Sequence, residues 1–202
     1  MWWAARNPET PRDRVLNPNE LRRLWAVWGH GYHPVVLLLR LRLLTAQRGQ
    51  QLLQFRHEQI EIQGEDWWWN VPSALTKTRR PYRIYLGPWT RELLQSTSLL
   101  RGGAVFEARE LSTIKQDLSR YVRTSTARIG LPYWQPRDLR RTAATMMARG
   151  GVSRFIIKRV LGHADREITA VYDLYSYDRE VKQAVLTLEN AVQATVSGSG
   201  EI

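Results

Sequence analysis

Residues 34–49 read PVVLLLRLRLLTAQRG. From Pro34 to Ala46 the segment is apolar on most sides, and Arg40 and Arg42 are its only charged side chains. A surface helix would show a single apolar stripe, so this pattern predicts a helix buried in the core of a helical protein. The segment is too short to span a bilayer. Arg48 follows the helix directly, and packing does not explain a cation at that place.

The chain before this helix contains a helix start. Asn17 is a typical N-cap, Pro18 suits the first helical position, and Glu20 stands where a capping box needs an acceptor. Apolar residues follow at helical spacing until Gly29 and Gly31 end the pattern. Residues 1–16 are rich in helix breakers, and we expect them to form an irregular leader.

The pattern changes between residues 59 and 86. Residues 59–62 alternate between polar and apolar, and residues 67–71 and 82–86 are aromatic or β-branched runs. A turn at 64–66 separates the first two runs, and the basic loop 76–80, TKTRR, joins the last two. We therefore expect a small antiparallel sheet of three strands.

The remaining segments are helical in pattern. We expect short helices over 49–55 and near 168–175, and further helices over 88–98, 111–129, 136–149, 153–161 and from Asp178 to about 194. The fold class is thus mainly α with a small three-stranded antiparallel β-sheet (α+β). One domain is expected over residues 17–195, with a flexible tail over 196–202.

The charge of the chain indicates a polyanionic partner. Its 30 basic and 19 acidic residues give a formal net charge of +11, and such a field attracts nucleic acid. The chain contains no Cys, which excludes disulfides and thiolate metal sites and fits a cytoplasmic protein. Its four His residues do not form a metal-binding pattern, and phosphate-binding glycine loops and nucleophile elbows are absent from the sequence. We expect no cofactor, no metal and no membrane partner.

Separated polar segments carry the candidate chemistry. They are the TAQRG segment 45–49, Lys77 in the basic loop, the segment 137–145 (RDLRRTAAT), the segment 160–163 (VLGH) and the segment 168–172 (ITAVY). Each segment alone is weak evidence for a function, because arginine-rich helix starts are usually solvated and a Leu-Gly-His turn can hold a packed imidazole. Together, in this order and at this spacing, they resemble the catalytic domain of the tyrosine recombinases, the phage-type integrases. The resemblance covers residues 15–185.

The resemblance implies a fold and an activity. It implies the tyrosine recombinase catalytic-domain fold and cleavage of DNA through a covalent 3′-phosphotyrosine on Tyr172. Arg48 and Arg140 would hold the phosphate, and His163 would add a donor. Lys77 would protonate the departing 5′ oxygen. Arginine suits such a site because its planar fork binds two oxygens and keeps its charge.

Three tyrosines compete for the nucleophile. Tyr172 has the spacing from His163 and the preceding Ile-Thr pair that the family shows. Tyr175 and Tyr177 are better interpreted as core aromatic residues. Tyr172 is therefore the predicted nucleophile.

Two positions depart from the family's pattern. Arg137 stands where the family usually has His, and arginine cannot exchange a proton near neutral pH. We therefore expect Arg137 to be an electrostatic helper. Gln51 stands where an acidic residue is common, and its neutrality is expected to soften the site. The resemblance also leads us to expect that this chain lacks the N-terminal domain that usually precedes the family's catalytic domain.

Three interpretations of the function are possible from the sequence. The leading one is a site-specific recombinase that binds double-stranded DNA, acts as a tetramer on two DNA sites and is a monomer without DNA. A type IB topoisomerase and a catalytically impaired DNA-binding relic are the alternatives. The apolar stripe of the last helix indicates burial, either against a neighbouring protomer or against its own domain.

Overall fold

The computed structural model describes residues 13–29, 32–76, 79–97, 99, 102–163 and 176–198. In this part of the chain the α-helices are α1 (Pro18–Trp28), α2 (Pro34–Thr45), α3 (Gly49–Leu52), α4 (Pro88–Gln95), α5 (Ala108–Arg128), α6 (Pro136–Arg149), α7 (Arg154–Val160) and α8 (Asp178–Ser197). The strands are β1 (Ile60–Gln63), β2 (Asp66–Val71) and β3 (Tyr82–Tyr85). The fold class predicted from the sequence is confirmed.

Helix α2 is the centre of the core, as the sequence predicts. It packs against α4, α5, α6 and α8 and is covered on nearly every side. Its buried apolar residues are Val35, Val36, Leu37, Leu38, Leu39, Leu41, Leu43 and Leu44. The residues that follow α2 are therefore held at the middle of the molecule.

The predicted start of α1 is confirmed. The side chain of Asn17 accepts a hydrogen bond from the Glu20 amide at 2.9 Å, and the Glu20 carboxylate accepts one from the Asn17 amide at 2.9 Å. This reciprocal capping box satisfies two amides that the first helical turn leaves without partners.

The sheet has the order β1-β2-β3 with antiparallel pairs. Trp69 on the central strand pairs with Ile60 on one side and Ile84 on the other. The indole of Trp69 stacks on Phe55 with ring centroids 4.2 Å apart. This stacking joins the sheet to the segment that follows α3.

The element bounds differ from the predictions in a few places. Helix α3 ends at Leu52, although a helix over 49–55 is predicted, because Phe55 leaves the helical path to pair its carbonyl with the Val105 amide at 3.0 Å. Helix α5 begins at Ala108, earlier than predicted, and α8 continues to Ser197. The predicted helix over 168–175 lies outside the described residues.

Helix α8 packs on its own domain. It contacts α1, α2, α6, α7 and β3, and its buried apolar residues are Val181, Ala184, Val185, Leu188 and Val192. The Glu189 carboxylate is also buried, and it accepts hydrogen bonds from the amides of Trp89 and Thr90 at the N-terminus of α4. In this structure the apolar stripe is thus covered within the chain. Among the described residues, we find no helix with the length and apolar character needed to cross a membrane.

Candidate active site

Arg48 stands at the junction between the buried helix α2 and the short helix α3. The chain leaves α2 through Ala46, whose φ of 56° lies in the left-handed region. A left-handed alanine is strained by roughly 1 kcal/mol, and such strain persists only where surrounding contacts impose it. The turn ends at Arg48, which is partly buried and whose carbonyl accepts hydrogen bonds from the amides of Gln51 and Leu52.

Arg140 in α6 is the contact that fixes this turn. Its Nη1 donates to the carbonyl of Ala46 at 2.7 Å, and its Nη2 donates to the carbonyl of Leu161 at 2.6 Å. One planar guanidinium therefore joins the end of α2 to the end of α7. The same Nη2 lies 3.2 Å from Nε2 of His163.

His163 follows the turn that ends α7. Gly162 has a φ of 59°, the Gly162 amide bonds to the Arg159 carbonyl, and the His163 amide bonds to the Lys158 carbonyl at 3.0 Å. This is a Schellman motif, which favours glycine at the left-handed position. A Cβ at residue 162 would also overlap the ring of Tyr82, so the Leu-Gly-His sequence has two reasons to contain glycine.

The electrostatics of this group are set by arginines close together. Burial lowers the pKa of Arg140 to about 10, and the charge of Arg48 adds to the effect. Arg140 is still cationic at pH 7. Partial burial, followed by the charges of Arg140 and Arg48, lowers the pKa of His163 below its usual value. His163 is therefore neutral near pH 7.

The contact with Arg140 also selects the tautomer of His163. A guanidinium only donates hydrogen bonds, so Nε2 of His163 is the acceptor in this pair. A neutral imidazole then carries its proton on Nδ1. This N–H can donate a hydrogen bond to a phosphate oxygen.

Tyr82 and Gln47 also belong to the site, and the sequence did not single them out. The Tyr82 hydroxyl donates to Oε1 of Gln47 at 2.7 Å. Nε2 of Gln47 donates to the carbonyls of Thr45 and Val160, each at 2.7 Å. Nothing in the sequence distinguishes Tyr82 from Tyr85 on the same strand, since only the fold shows which ring meets the Arg48 turn.

Gln51 is fully buried next to Arg48. Its Oε1 lies 3.3 Å from the Arg48 amide and 3.2 Å from the Tyr82 hydroxyl, and its Nε2 donates to the Leu75 carbonyl at 3.2 Å. The neutral amide thus has partners at both ends. It links the Arg48 turn to the segment that leads into the basic loop.

Arg137 is the remaining predicted site residue that the structure describes. It is exposed on the first turn of α6, one helical turn before Arg140. It lines a cleft of about 710 Å³ between α5 and the start of α6, together with Arg42, Arg123 and Tyr133. Its predicted role as an electrostatic helper stays a prediction.

The structure therefore brings together Arg48, Arg140 and His163 from three distant segments. Lys77 and Tyr172 lie outside the described residues, and their roles stay predictions. Within the described ranges, His, Asp and Glu side chains do not gather in a group of three or more that could hold a metal ion.

Residues 14–178 match the model of the phage integrase family. This chain belongs to that family. The match covers most of the sequence and contains all the segments on which the resemblance rests. No curated protein matches this phage integrase family member in sequence.

Solved structures of a recombinase share the fold. XerH site-specific recombinase bound to its difH substrate, in a pre-cleavage complex, superposes with a TM-score of 0.53 at 17% identity over 82% of this chain. The post-cleavage complex of XerH with palindromic difH gives a TM-score of 0.54 at 14% identity over 92% of this chain. The matches cover 51% and 52% of the XerH chains, so this integrase-family chain spans about half their length.

Proposed function

We propose that the chain is the catalytic part of a site-specific DNA recombinase that cuts and rejoins strands through a covalent 3′-phosphotyrosine on Tyr172. The observation that carries the proposal is the meeting of three residues from separate segments: Arg140 contacts His163, and the charge of Arg48 acts on both of them. A group of this kind suits one anionic phosphate. Membership of the phage integrase family supports the same conclusion.

Each step of the proposed reaction conserves bonds. Oη of Tyr172 attacks phosphorus, which forms an O–P bond and breaks the bond to the 5′ oxygen of the next nucleotide. The phenolic proton is lost to water, and Lys77 gives a proton to the departing 5′ oxygen. Attack by a 5′ hydroxyl on the phosphotyrosine reverses both changes. The energy of the broken bond is retained, so resealing needs no cofactor.

Arg48 and Arg140, named the phosphate clamp here, would stabilise the charge that builds on the non-bridging oxygens. A guanidinium has five N–H donors, and the contacts of Arg140 with Ala46, Leu161 and His163 use three of them. The proposal assigns the other two to the phosphate. In the tautomer selected by Arg140, Nδ1–H of His163 adds a further donor.

Double-stranded DNA is the proposed partner. Helix α5 has a strongly basic exposed surface, and Arg123 on this helix lines the same cleft as Arg137. The exposed basic residues of α5 are Arg109, Lys115, Arg120, Arg123 and Arg128. Binding to phosphates through such residues weakens steeply with salt. As part of the proposal, the active form is a tetramer on two DNA sites.

A catalytically impaired DNA-binding relic is the second candidate, because Arg137 and Gln51 depart from the family's pattern. The contacts of Gln51 weaken half of that argument. Its amide satisfies the Arg48 amide and the Tyr82 hydroxyl without a carboxylate.

The test uses labelled duplexes that carry a nick close to a randomised sequence. Cleavage releases a short fragment, which traps the protein on the label. We expect a labelled protein band that survives SDS and is lost in Tyr172→Phe. Tyr177→Phe, which removes a nearby hydroxyl, is the matched control and should keep the band. A band that persists in Tyr172→Phe contradicts the assignment.

The relic is tested in the same experiment. If no band forms, even when a family N-terminal domain is fused to the chain, while salt-dependent duplex binding persists, the relic is the better description. Relaxation of supercoiled DNA without strand exchange would instead identify a type IB topoisomerase.

A further inference from the structure

The Tyr82 hydroxyl lies at the contact between three parts of the candidate site. Tyr82 is the first residue of β3, and its side chain is largely buried. Its hydroxyl lies 2.7 Å from Oε1 of Gln47 and 3.2 Å from Oε1 of Gln51. Its ring packs directly against Gly162, where a Cβ could not be accommodated.

Both glutamines connect this hydroxyl to the phosphate clamp. Gln47 and Arg48 are consecutive, so a fixed Gln47 side chain fixes the backbone that carries Arg48. Gln51 lies across the turn, and its side-chain oxygen accepts a hydrogen bond from the Arg48 amide. Gln47 also reaches the carbonyl of Val160, at the end of the helix that leads to His163.

The hydroxyl is protonated and neutral under working conditions. Burial raises the pKa of Tyr82, although the charges of Arg140 and Arg48 oppose this rise. A neutral phenol can share its single proton between the two glutamine oxygens, with the shorter bond to Gln47, and brings no negative charge to the arginines. A carboxylate at position 51 would offset part of the positive charge of Arg48 and Arg140 that binds a phosphate. The Tyr82 and Gln51 pair therefore orders the turn and leaves that charge undiminished.

We infer that Tyr82 is a positioning residue for the phosphate clamp. Its hydroxyl fixes the position of the Arg48 turn through hydrogen bonds to Gln47 and Gln51. The inference rests on the proposed function, because it takes the arginines to be phosphate ligands. Within the described part of the chain, the hydrogen bonds of the hydroxyl go to the two glutamines, so its effect on the clamp passes through Arg48 and the turn before His163. Loss of the hydroxyl leaves the ring against Gly162 and loosens only the polar connection.

The test compares Tyr82→Phe with Tyr85→Phe. Tyr85 is a matched control because it lies on the same strand, is also buried, and has its hydroxyl near Asp66, away from the clamp. Thermal unfolding and circular dichroism first show that both variants fold. Gln51→Met is a second variant that breaks the same network from the other side while leaving Tyr82 in place.

The first readout needs no DNA cleavage. The dinucleotide thymidylyl-thymidine, which has one phosphodiester, is titrated into the protein while the arginine side-chain resonances are followed by NMR. We expect Arg48 and Arg140 to shift in the wild type, with affinity about fivefold to tenfold weaker in Tyr82→Phe and Gln51→Met and unchanged in Tyr85→Phe. Equal affinity in wild type and Tyr82→Phe overturns the inference. So does a wild type in which neither arginine responds.

The second readout separates binding from chemistry. On a duplex that the wild type cleaves, we expect Tyr82→Phe to form the covalent adduct about tenfold more slowly at saturating protein, a condition under which weaker binding no longer limits the rate. The loss should shrink on a duplex whose scissile phosphate is a methylphosphonate, because less charge then develops for the clamp to stabilise. An equal loss on both substrates overturns the inference. If the wild type forms no adduct, the proposed function fails, and the dinucleotide titration still decides the role of Tyr82.

Discussion

The guanidinium of Arg140 donates a 2.7 Å hydrogen bond to the carbonyl of Ala46, a residue held in the left-handed region at a φ of 56°. A second N–H of the same group donates to the Leu161 carbonyl at 2.6 Å. Arg140 therefore has a structural role that exists before any phosphate is bound. Its geometry depends on a planar fork, which lysine does not have.

Arg140→Lys should destabilise the protein as well as impair cleavage. An ammonium cannot reach both carbonyls in the geometry of the fork, and an unsatisfied buried carbonyl costs about 1–3 kcal/mol. Urea unfolding measures this loss. Arg149→Lys, at the exposed end of the same helix, is the control and should change stability by no more than about 0.5 kcal/mol. An Arg140→Lys variant as stable as wild type would contradict the structural role.

Gly162→Ala should be costly because of the Tyr82 ring as well as the backbone angle. A left-handed alanine costs about 1 kcal/mol, and overpacking against a buried ring adds about 1–3 kcal/mol. Gly130→Ala is a matched control, since Gly130 has a φ of 57° and nothing within 4 Å of the added Cβ. It should show only the backbone cost.

A double-mutant cycle isolates the contact between Gly162 and Tyr82. In a Tyr82→Ala background the ring is gone, so Gly162→Ala should cost about 1 kcal/mol, as Gly130→Ala does. Urea unfolding of the four proteins gives the coupling energy. A coupling energy near zero would mean that the ring and the turn are not packed as described.

His163 should make stability depend on pH on the acidic side. Partial burial and the charges of Arg140 and Arg48 lower the pKa of His163 in the folded protein. Between that lowered value and about 6.5, the unfolded chain binds more protons than the folded one, so stability rises with pH up to about 6.5 and then levels off. His163→Gln should remove this rise. NMR titration measures the pKa directly, and a value above 6.5 would contradict the arrangement.

Glu189→Ala should destabilise the domain by removing the acceptor at the start of α4. The carboxylate accepts from the Trp89 amide at 3.1 Å and from the Thr90 amide and hydroxyl at 2.9 and 2.6 Å. Removing a buried acceptor at a helix N-terminus costs about 2–3 kcal/mol. Asn190→Ala, on the exposed neighbouring position, is the control. Equal stability of the two variants would mean that α8 is not docked on α4 in solution.

Local signals were sufficient to predict much of the fold. The Asn17 capping box, the uniformly apolar α2 and the aromatic strands each depend on nearby residues, and all three are confirmed. The shortness of α3 could not be predicted, because it depends on a bond between Phe55 and Val105. Such a pairing across many residues leaves no periodic trace in the sequence.

The candidate site divides in the same way. Arg48, Arg140 and His163 stand in segments whose order and spacing resemble the family, and the structure brings them together. Tyr82 and Gln47 were missed because their importance comes from a meeting of β3, the turn after α2 and the end of α7. A tyrosine in an aromatic strand is most simply a core residue, and only its position in the fold shows that its hydroxyl faces polar partners.

The two carbonyl contacts of Arg140 mean that Arg140 and Arg48 would be under different kinds of selection. A descendant that had stopped cutting DNA would still need Arg140 to hold Ala46 and Leu161, so selection for folding alone would keep it. Among the described residues, Arg48 is hydrogen-bonded through its backbone amide and carbonyl, and the residue is only partly buried. In a lineage that no longer cuts DNA, substitutions of Arg48 would therefore accumulate. An arginine at position 48 is therefore a better indicator of retained DNA cleavage than an arginine at position 140.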